Sequence, residues 1–299
     1  TYGGEQMLYD GKDGEFDIKL FQNPTAQYRA APFWSWNCKL DKNLLTEQIE
    51  ILKEMGFGGF NMHSRSGMAT KYLGDEFMQR IEDCCRKAES ENMLAWLYDE
   101  DRWPSGLAGG YVTENKIYRQ RVLCFSKKAA KFMPKADALK NGGAYLLAVY
   151  DIELDKNGFL KSYRTIGESD CALGIKRYAY VKPADEHTMF NGQTYLDTLS
   201  KDAVKKFIEV THEKYKGKIG KYFGKIVPAI FTDEPQFAFI QNLPSSDSGA
   251  DVNIAWTADF DKTYGEKYAE SITEKLPEIF WDLPGGKISR TRYRYHEHS

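Results

Sequence analysis

A chain of 299 residues with 42% hydrophobic and 28% charged residues can build one large globular domain or two ordinary ones. A net charge of −2 leaves no basic excess to neutralise phosphates, which argues against nucleic acid and anionic membrane surfaces as partners. No apolar run is long enough to span a bilayer, and residues 1–10 do not have the form of a signal peptide.

Residues 15–20 alternate polar and apolar and predict a half-buried strand ahead of the main domain. Residues 31–37 read as a short aromatic strand with a polar end. A helix from Asp41 follows, with Leu45, Ile49, Leu52 and Met55 at helical spacing and Gly56 closing it. Residues 58–63 form a second strand, and a helix from Asp75 carries Phe77, Ile81, Cys84, Cys85 and Ala88 on one face. Residues 93–98 are a third strand, leaving through the charged stretch 99–106. Strand and helix alternate as in a parallel α/β sheet, and each strand exits through polar residues, the arrangement of an enzyme with one working face.

That grammar stops near Ile117. Strand-like runs at 121–125, 144–150 and 176–181 are separated by the turn signals Asn141-Gly142-Gly143, Lys156-Asn157-Gly158 and Asn191-Gly192, as antiparallel hairpins require. The expected organisation is a first part of the parallel domain over residues 1–116, an inserted β-rich module over 117–197, and a return to the parallel domain over 198–299. A helix from near Ser200, with Val204, Phe207, Ile208, Thr211 and Tyr215 in register, leads into the strand 226–231. Residues 241–250 are a loop, 256–280 are partly helical and 291–299 begin another helix.

The strand 226–231 delivers two adjacent carboxylates, Asp233 and Glu234, at its exit, and Pro235 is expected to keep Glu234 extended. Neighbouring strand residues point to opposite faces, so one of the two would face a cleft. If the sheet is parallel, this exit converges with Trp36 and Asn37, with His63 and Arg65, and with Asp99, Glu100 and Asp101. Paired carboxylates across a cleft are the minimal apparatus of glycoside hydrolysis: one protonates the departing oxygen, the other activates water or attacks. Aromatic content of 14%, with 19 Tyr and 6 Trp, offers rings on which sugars stack, Trp103 among them. The run Asp99, Glu100 and Asp101 can also be read as a Ca²⁺ site, although it lacks the alternating ligands of a Ca²⁺ loop. Each feature has a plainer reading: a polar strand exit, a structural histidine at His63, a hydrophobic plug at Trp103. Five cysteines show neither a paired framework nor a C-x-x-C metal spacing, which points to a reducing, cytoplasmic setting.

Ala31-Pro32-Phe33-Trp34-Ser35-Trp36-Asn37, the Met-Gly-Phe-Gly-Gly exit of the first helix, Tyr98-Asp99-Glu100 with Trp103-Pro104-Ser105-Gly106, and Phe231-Thr232-Asp233-Glu234-Pro235 together resemble landmarks of the bacterial α-L-rhamnosidase-like glycoside hydrolases (family 106 and relatives). The resemblance covers residues 30–112 and 225–240 and little between them. It implies a TIM-type (β/α)8 barrel, a carbohydrate substrate, hydrolysis by strand-end carboxylates, and Ca²⁺ in some members. The exit Trp-Asn-Cys departs from the glycine-rich exit expected, which leaves the sugar open.

The resulting expectation is an α/β chain holding part of a (β/α)8 barrel with an inserted β-rich module, the remaining strands falling beyond Ser299, where a second catalytic carboxylate would also have room. Glu234 is the lead general acid, with Glu100 and Asp99 as catalytic partners. Trp36, Asn37, His63, Arg65, Asp101, Trp103 and Asp233 would line the sugar site. The rivals are a non-catalytic carbohydrate-binding protein that keeps the cleft, and a metal-dependent hydrolase or aldolase-type barrel, for which five histidines are few.

Overall fold

The structure is a computed structural model that describes residues 16–299. In chain order it contains α1 (Ile18–Gln22), β1 (Phe33–Trp36), α2 (Lys42–Glu54), β2 (Gly59–Ser64), α3 (Asp75–Glu91) and β3 (Leu94–Tyr98). Then come β4 (Arg121–Ser126), α4 (Lys135–Asn141), β5 (Tyr145–Leu154), β6 (Leu160–Ile166), β7 (Ile175–Pro183), α5 (Lys201–Val210), α6 (His212–Ile219) and β8 (Ile230–Phe231). The chain finishes with β9 (Val252–Trp256), α7 (Phe260–Tyr268), α8 (Ile272–Lys275), α9 (Pro277–Phe280) and α10 (Arg290–His298). It divides into two compact units, one comprising the residues up to Tyr111 together with Lys205–Pro235, the other Val112–Val204 and Gln236–Ser299.

The first unit is built on a four-stranded sheet in the order β1-β2-β3-β8, with every pairing parallel. Register places Phe33, Asn61 and Trp96 on one face, with Ser35 and His63, then Tyr98 and Phe231, further along it. The alternate residues face the helices: Trp34 meets Phe60 at 5.2 Å, its Nε1–H bonds Gln48 of α2 at 2.8 Å, and Trp36 meets Phe77 of α3 at 5.8 Å. Asp41 caps α2 by accepting from Asn43 and Leu44, and Gly56 ends it at φ +91°. The glycine pair after α2 reflects crowding, because a Cβ at Gly58 would stand 2.0 Å from the Ala26 carbonyl oxygen and one at Gly59 2.5 Å from that of Leu94.

Several expectations change here. The four strands form an open sheet and no closed barrel is formed by the described residues, so the (β/α)8 expectation reduces to a parallel β/α arrangement. The strand expected at 15–20 is the helix α1 where described (Glu15 lies outside the described residues), because the Asp17 carboxylate caps the N–H groups of Lys19 and Leu20. The single helix expected after Ser200 breaks in two at Thr211, whose hydroxyl donates to the Phe207 carbonyl. The strand 226–231 pairs with β3 along its length, Ala95 N–H donating to the Ile226 carbonyl, Leu97 to Ala229 and Asp99 to Phe231, but regular pairing is confined to its end. Pro228 has no N–H to give back to β3, and β8 is limited to the two residues Ile230–Phe231.

The second unit is a five-stranded antiparallel sheet, β6-β5-β7-β4-β9. The strand-like runs at 121–125, 144–150 and 176–181 coincide with β4, β5 and β7, while β6, α4 and β9, which arrives from a later part of the chain to pair with β4, were not anticipated. Residues 236–299, expected to continue the parallel domain, cluster with this sheet: Trp256, Phe260, Ile272, Leu276 and Tyr295 share its core with Leu123, Tyr150 and Val181. No described helix is long and apolar enough to cross a membrane.

Gly59→Ala should destabilise the parallel unit, since backbone must move to admit the new Cβ. Gly217→Ala, in α6 with nothing within 4 Å of its Cβ, should instead stabilise by about 1 kcal/mol. Thermal melts of the two variants check the pair of signs.

Candidate active site

The parallel strands end side by side, bringing the exits of β1, β2, β3 and β8 together within the first unit. The acidic run after β3 is the most elaborated of them. Glu100 is 1% exposed, and five backbone N–H groups point at its carboxylate. Asp101 (2.8 Å) and Gly109 (2.5 Å) donate to Oε1; Gly106 (2.9 Å), Leu107 (2.7 Å) and Ala108 (2.7 Å) donate to Oε2. Positive φ at Gly106, Ala108 and Gly109 curls the backbone so that successive N–H groups converge, an anion-binding nest closed on the chain's own side chain. Burial pushes the Glu100 pKa up to about 7 and the N–H groups pull the other way. With five donors around it, the ionised form is the one this geometry accommodates. Glu100 is thus the anchor of the loop 101–110 and not a group that meets substrate, contrary to the catalytic role expected for it.

Asp99 is likewise committed. It has no exposed surface, and its Oδ1 accepts from Ser105 Oγ at 2.6 Å while Oδ2 accepts from Thr232 Oγ1 at 2.6 Å. His212 Nε2 stands 3.7 Å from Oδ2. Thr211 Oγ1 gives its proton to the Phe207 carbonyl, so its 2.7 Å contact with His212 Nδ1 is one in which Nδ1–H donates, and the Nε2 lone pair faces Asp99. Burial raises the Asp99 pKa, against the hydrogen bonds from Ser105 and Thr232; burial lowers that of His212. Asp99 therefore ties the β3 exit to the β8 exit and does not face a cleft.

The β8 exit is the exposed one. Ser105 clamps Asp233, its N–H donating to the Asp233 carbonyl and its Oγ accepting the Asp233 N–H, both at 2.9 Å. The Asp233 carboxylate accepts from Tyr98 OH at 3.3 Å, and its Oδ2 lies 4.0 Å from His63 Nε2. His63 is 1% exposed, stacked 3.8 Å from the Tyr98 ring, and its Nδ1–H donates to the Ser64 carbonyl at 3.2 Å, leaving the Nε2 lone pair toward Asp233. Burial lowers the His63 pKa, with the Ser64 carbonyl opposing. Glu234 is exposed and its φ is +45°, so it is left-handed rather than extended, and strict alternation of the pair is lost. Trp103 Nε1–H holds its Oε2 at 2.9 Å.

Of the other expected site residues, Trp36 is 2% exposed and packs on Phe77, so it belongs to the core and not to a sugar surface. Asn37 and Arg65 are exposed at neighbouring exits. Asp101 is half-buried and paired with Arg102 at 2.9 Å. Among the described residues no three His, Cys, Asp or Glu side chains are placed to share a metal ion. The acidic run does not fit Ca²⁺, because the oxygens that would ligate it face N–H and O–H donors. Sequence reasoning missed Tyr98, Ser105, Thr232 and His212 as members of the network. Tyr98, Ser105 and Thr232 each stood within a motif already singled out, Tyr-Asp-Glu, Trp-Pro-Ser-Gly and Phe-Thr-Asp-Glu-Pro, whereas His212 carried no signal.

The antiparallel unit has a buried carboxylate of its own. Asp197, 3% exposed, accepts from Thr257 Oγ1 (2.7 Å) and Leu199 N–H (3.1 Å) in the wall of a cavity of about 1000 Å³.

The chain is similar to a rhamnosidase from Novosphingobium sp. PP1Y, with a TM-score of 0.55 and 11% sequence identity over 95% of this chain and 44% of that one. The likeness is one of fold, and the chain spans less than half the length of that protein. No protein-family model and no curated protein matches the sequence.

Glu100→Gln turns an NH₂ toward one set of N–H groups, stranding at least two donors. At about 1–3 kcal/mol for each unsatisfied group the loss should be roughly 2–6 kcal/mol, read from denaturant unfolding. Asp197 carries a pH signature. Burial pushes its pKa up to about 6, against an unfolded value of about 3.9. Its contribution to stability is therefore complete below about pH 4 and lost as pH rises through about 6. The protein should lose about 3 kcal/mol more over that window than Asp197→Asn does, as measured by melts across pH.

Proposed function

We propose that the chain carries part of a glycoside hydrolase, acting at the C-terminal ends of its parallel strands by carboxylate acid/base chemistry. The observation that carries this reading is Glu234: an exposed carboxyl at a strand exit, set on a left-handed turn and oriented by an indole N–H at 2.9 Å. Trp103 engages Oε2, so Oε1 is the oxygen that carries a proton to a departing glycosidic oxygen. Left-handed backbone at a bulky residue costs free energy that surrounding contacts must offset, and such strain gathers at working sites. The likeness in fold to a rhamnosidase supports a carbohydrate substrate, and rhamnose-containing glycans are the class to examine first.

A second reading has an observation of its own. Asp99 and Glu100 are buried and fully engaged, which removes the acidic run from chemistry and suits a protein that binds sugars without cleaving them. Calorimetry with mono- and disaccharides beside a screen of aryl glycosides separates the two, since a binder gives heat without release of phenol.

Glu234→Gln should lower kcat by about 10²–10⁴-fold on glycosides with poor leaving groups, and far less on activated ones that need little protonation. A loss equal on every leaving group would remove Glu234 from the general-acid role.

A further inference from the structure

We infer that Asp233, held by Tyr98, is the carboxylate that works with Glu234, taking a proton from the water that attacks the sugar. The inference rests on the glycosidase reading above and names the partner that reading lacks. Four acids follow β3 and β8 closely enough to be considered beside Glu234. Glu100 is saturated by five N–H groups and Asp99 has no exposed surface. Asp101 is committed to Arg102. Asp233 remains, with its side chain 18% exposed.

Its surroundings are those of a held base. Tyr98 OH donates to Oδ2 at 3.3 Å, and no described residue donates to Oδ1. His63 Nε2, 4.0 Å from Oδ2, presents a lone pair because Nδ1–H is given to the Ser64 carbonyl. The neutral imidazole therefore makes no hydrogen bond to the carboxylate and does not neutralise it, and Tyr98, whose hydroxyl donates to Oδ2, is the positioning residue. Ser105 fixes the Asp233 backbone on both sides of its peptide, while Trp103, two residues earlier in the same loop, fixes Glu234. The left-handed turn at Glu234 interrupts the alternation that would send neighbouring strand residues to opposite faces. Against His63 and Phe231 lies the ring of Phe33, 56% exposed, edge-on to the first at 4.9 Å and to the second at 5.3 Å, an apolar surface for the carbon face of a sugar.

The step balances as follows. The water oxygen bonds to the anomeric carbon as Asp233 Oδ1 takes one water proton. The electron pair of the breaking C–O bond leaves with the aglycone oxygen, which takes the Glu234 proton. Glycoside and water become sugar and alcohol, and the proton now on Asp233 returns to Glu234 through solvent.

The test uses the full natural chain with a panel of aryl α- and β-glycosides of graded leaving-group ability. Asp233→Asn retains an acceptor for Tyr98 and should melt near the unaltered protein. It should lose about 10²–10⁴-fold in kcat on good and poor leaving groups alike, because every substrate needs the activated water. Azide added to Asp233→Ala should restore turnover by forming a glycosyl azide of inverted configuration. If Glu234→Gln shows its leaving-group signature while Asp233→Asn keeps full activity, the Asp233 inference is wrong and the glycosidase reading stands. If the unaltered protein hydrolyses none of the panel, the glycosidase reading itself falls, and this inference with it.

Discussion

A carboxylate with almost no exposed surface must find its donors inside the protein, and Glu100 finds five of them in one loop. That constraint organises the working end of the parallel unit. Residues 101–110 have no regular secondary structure to hold them. Five of their backbone N–H groups are satisfied by wrapping around a single side chain, which sets the path of the loop as firmly as a strand pairing would. The path in turn decides where Trp103 and Ser105 arrive: the first against the Glu234 carboxylate, the second along the Asp233 backbone.

Asp99 supplies the second tie. By accepting from Ser105 on one oxygen and Thr232 on the other it joins the β3 loop to the β8 exit, just where β8 is limited to two residues. The two most deeply buried acids are thus scaffold, and the acids they position are the more exposed ones. Charged groups buried for structure and charged groups left exposed lie adjacent in the chain, which is why residue type alone did not separate them. Their hydrogen-bond partners do.

The parallel unit was largely legible in the sequence because its signals are local. Leu45 and Ile49 recur at helical spacing and are buried, and Gly56 ends α2 in a left-handed turn. The same holds for Phe77, Ile81, Cys84, Cys85 and Ala88 on α3. What failed depended on distant partners. Nothing near Trp256 announces that its strand pairs with β4, more than a hundred residues earlier, so residues 236–299 were placed with the wrong sheet. Trp36 reads equally as a sugar platform or a core plug until Phe77 is seen against it. Glu234 was expected to be extended before Pro235, yet the contact with Trp103, 131 positions away, accompanies a left-handed backbone. His212 sits in an ordinary helical pattern, and only the fold brings it to Asp99.

We propose that sugar chemistry takes place at the β8 exit. The most direct measurement is a crystal structure of Glu234→Gln with a non-hydrolysable thioglycoside bound. The account predicts the bridging sulfur within about 3–4 Å of the residue 234 amide, close to hydrogen-bond reach, and the ring resting by Phe33. A thioglycoside bound instead beside Asp197 in the antiparallel unit, with the β8 exit vacant, would contradict it.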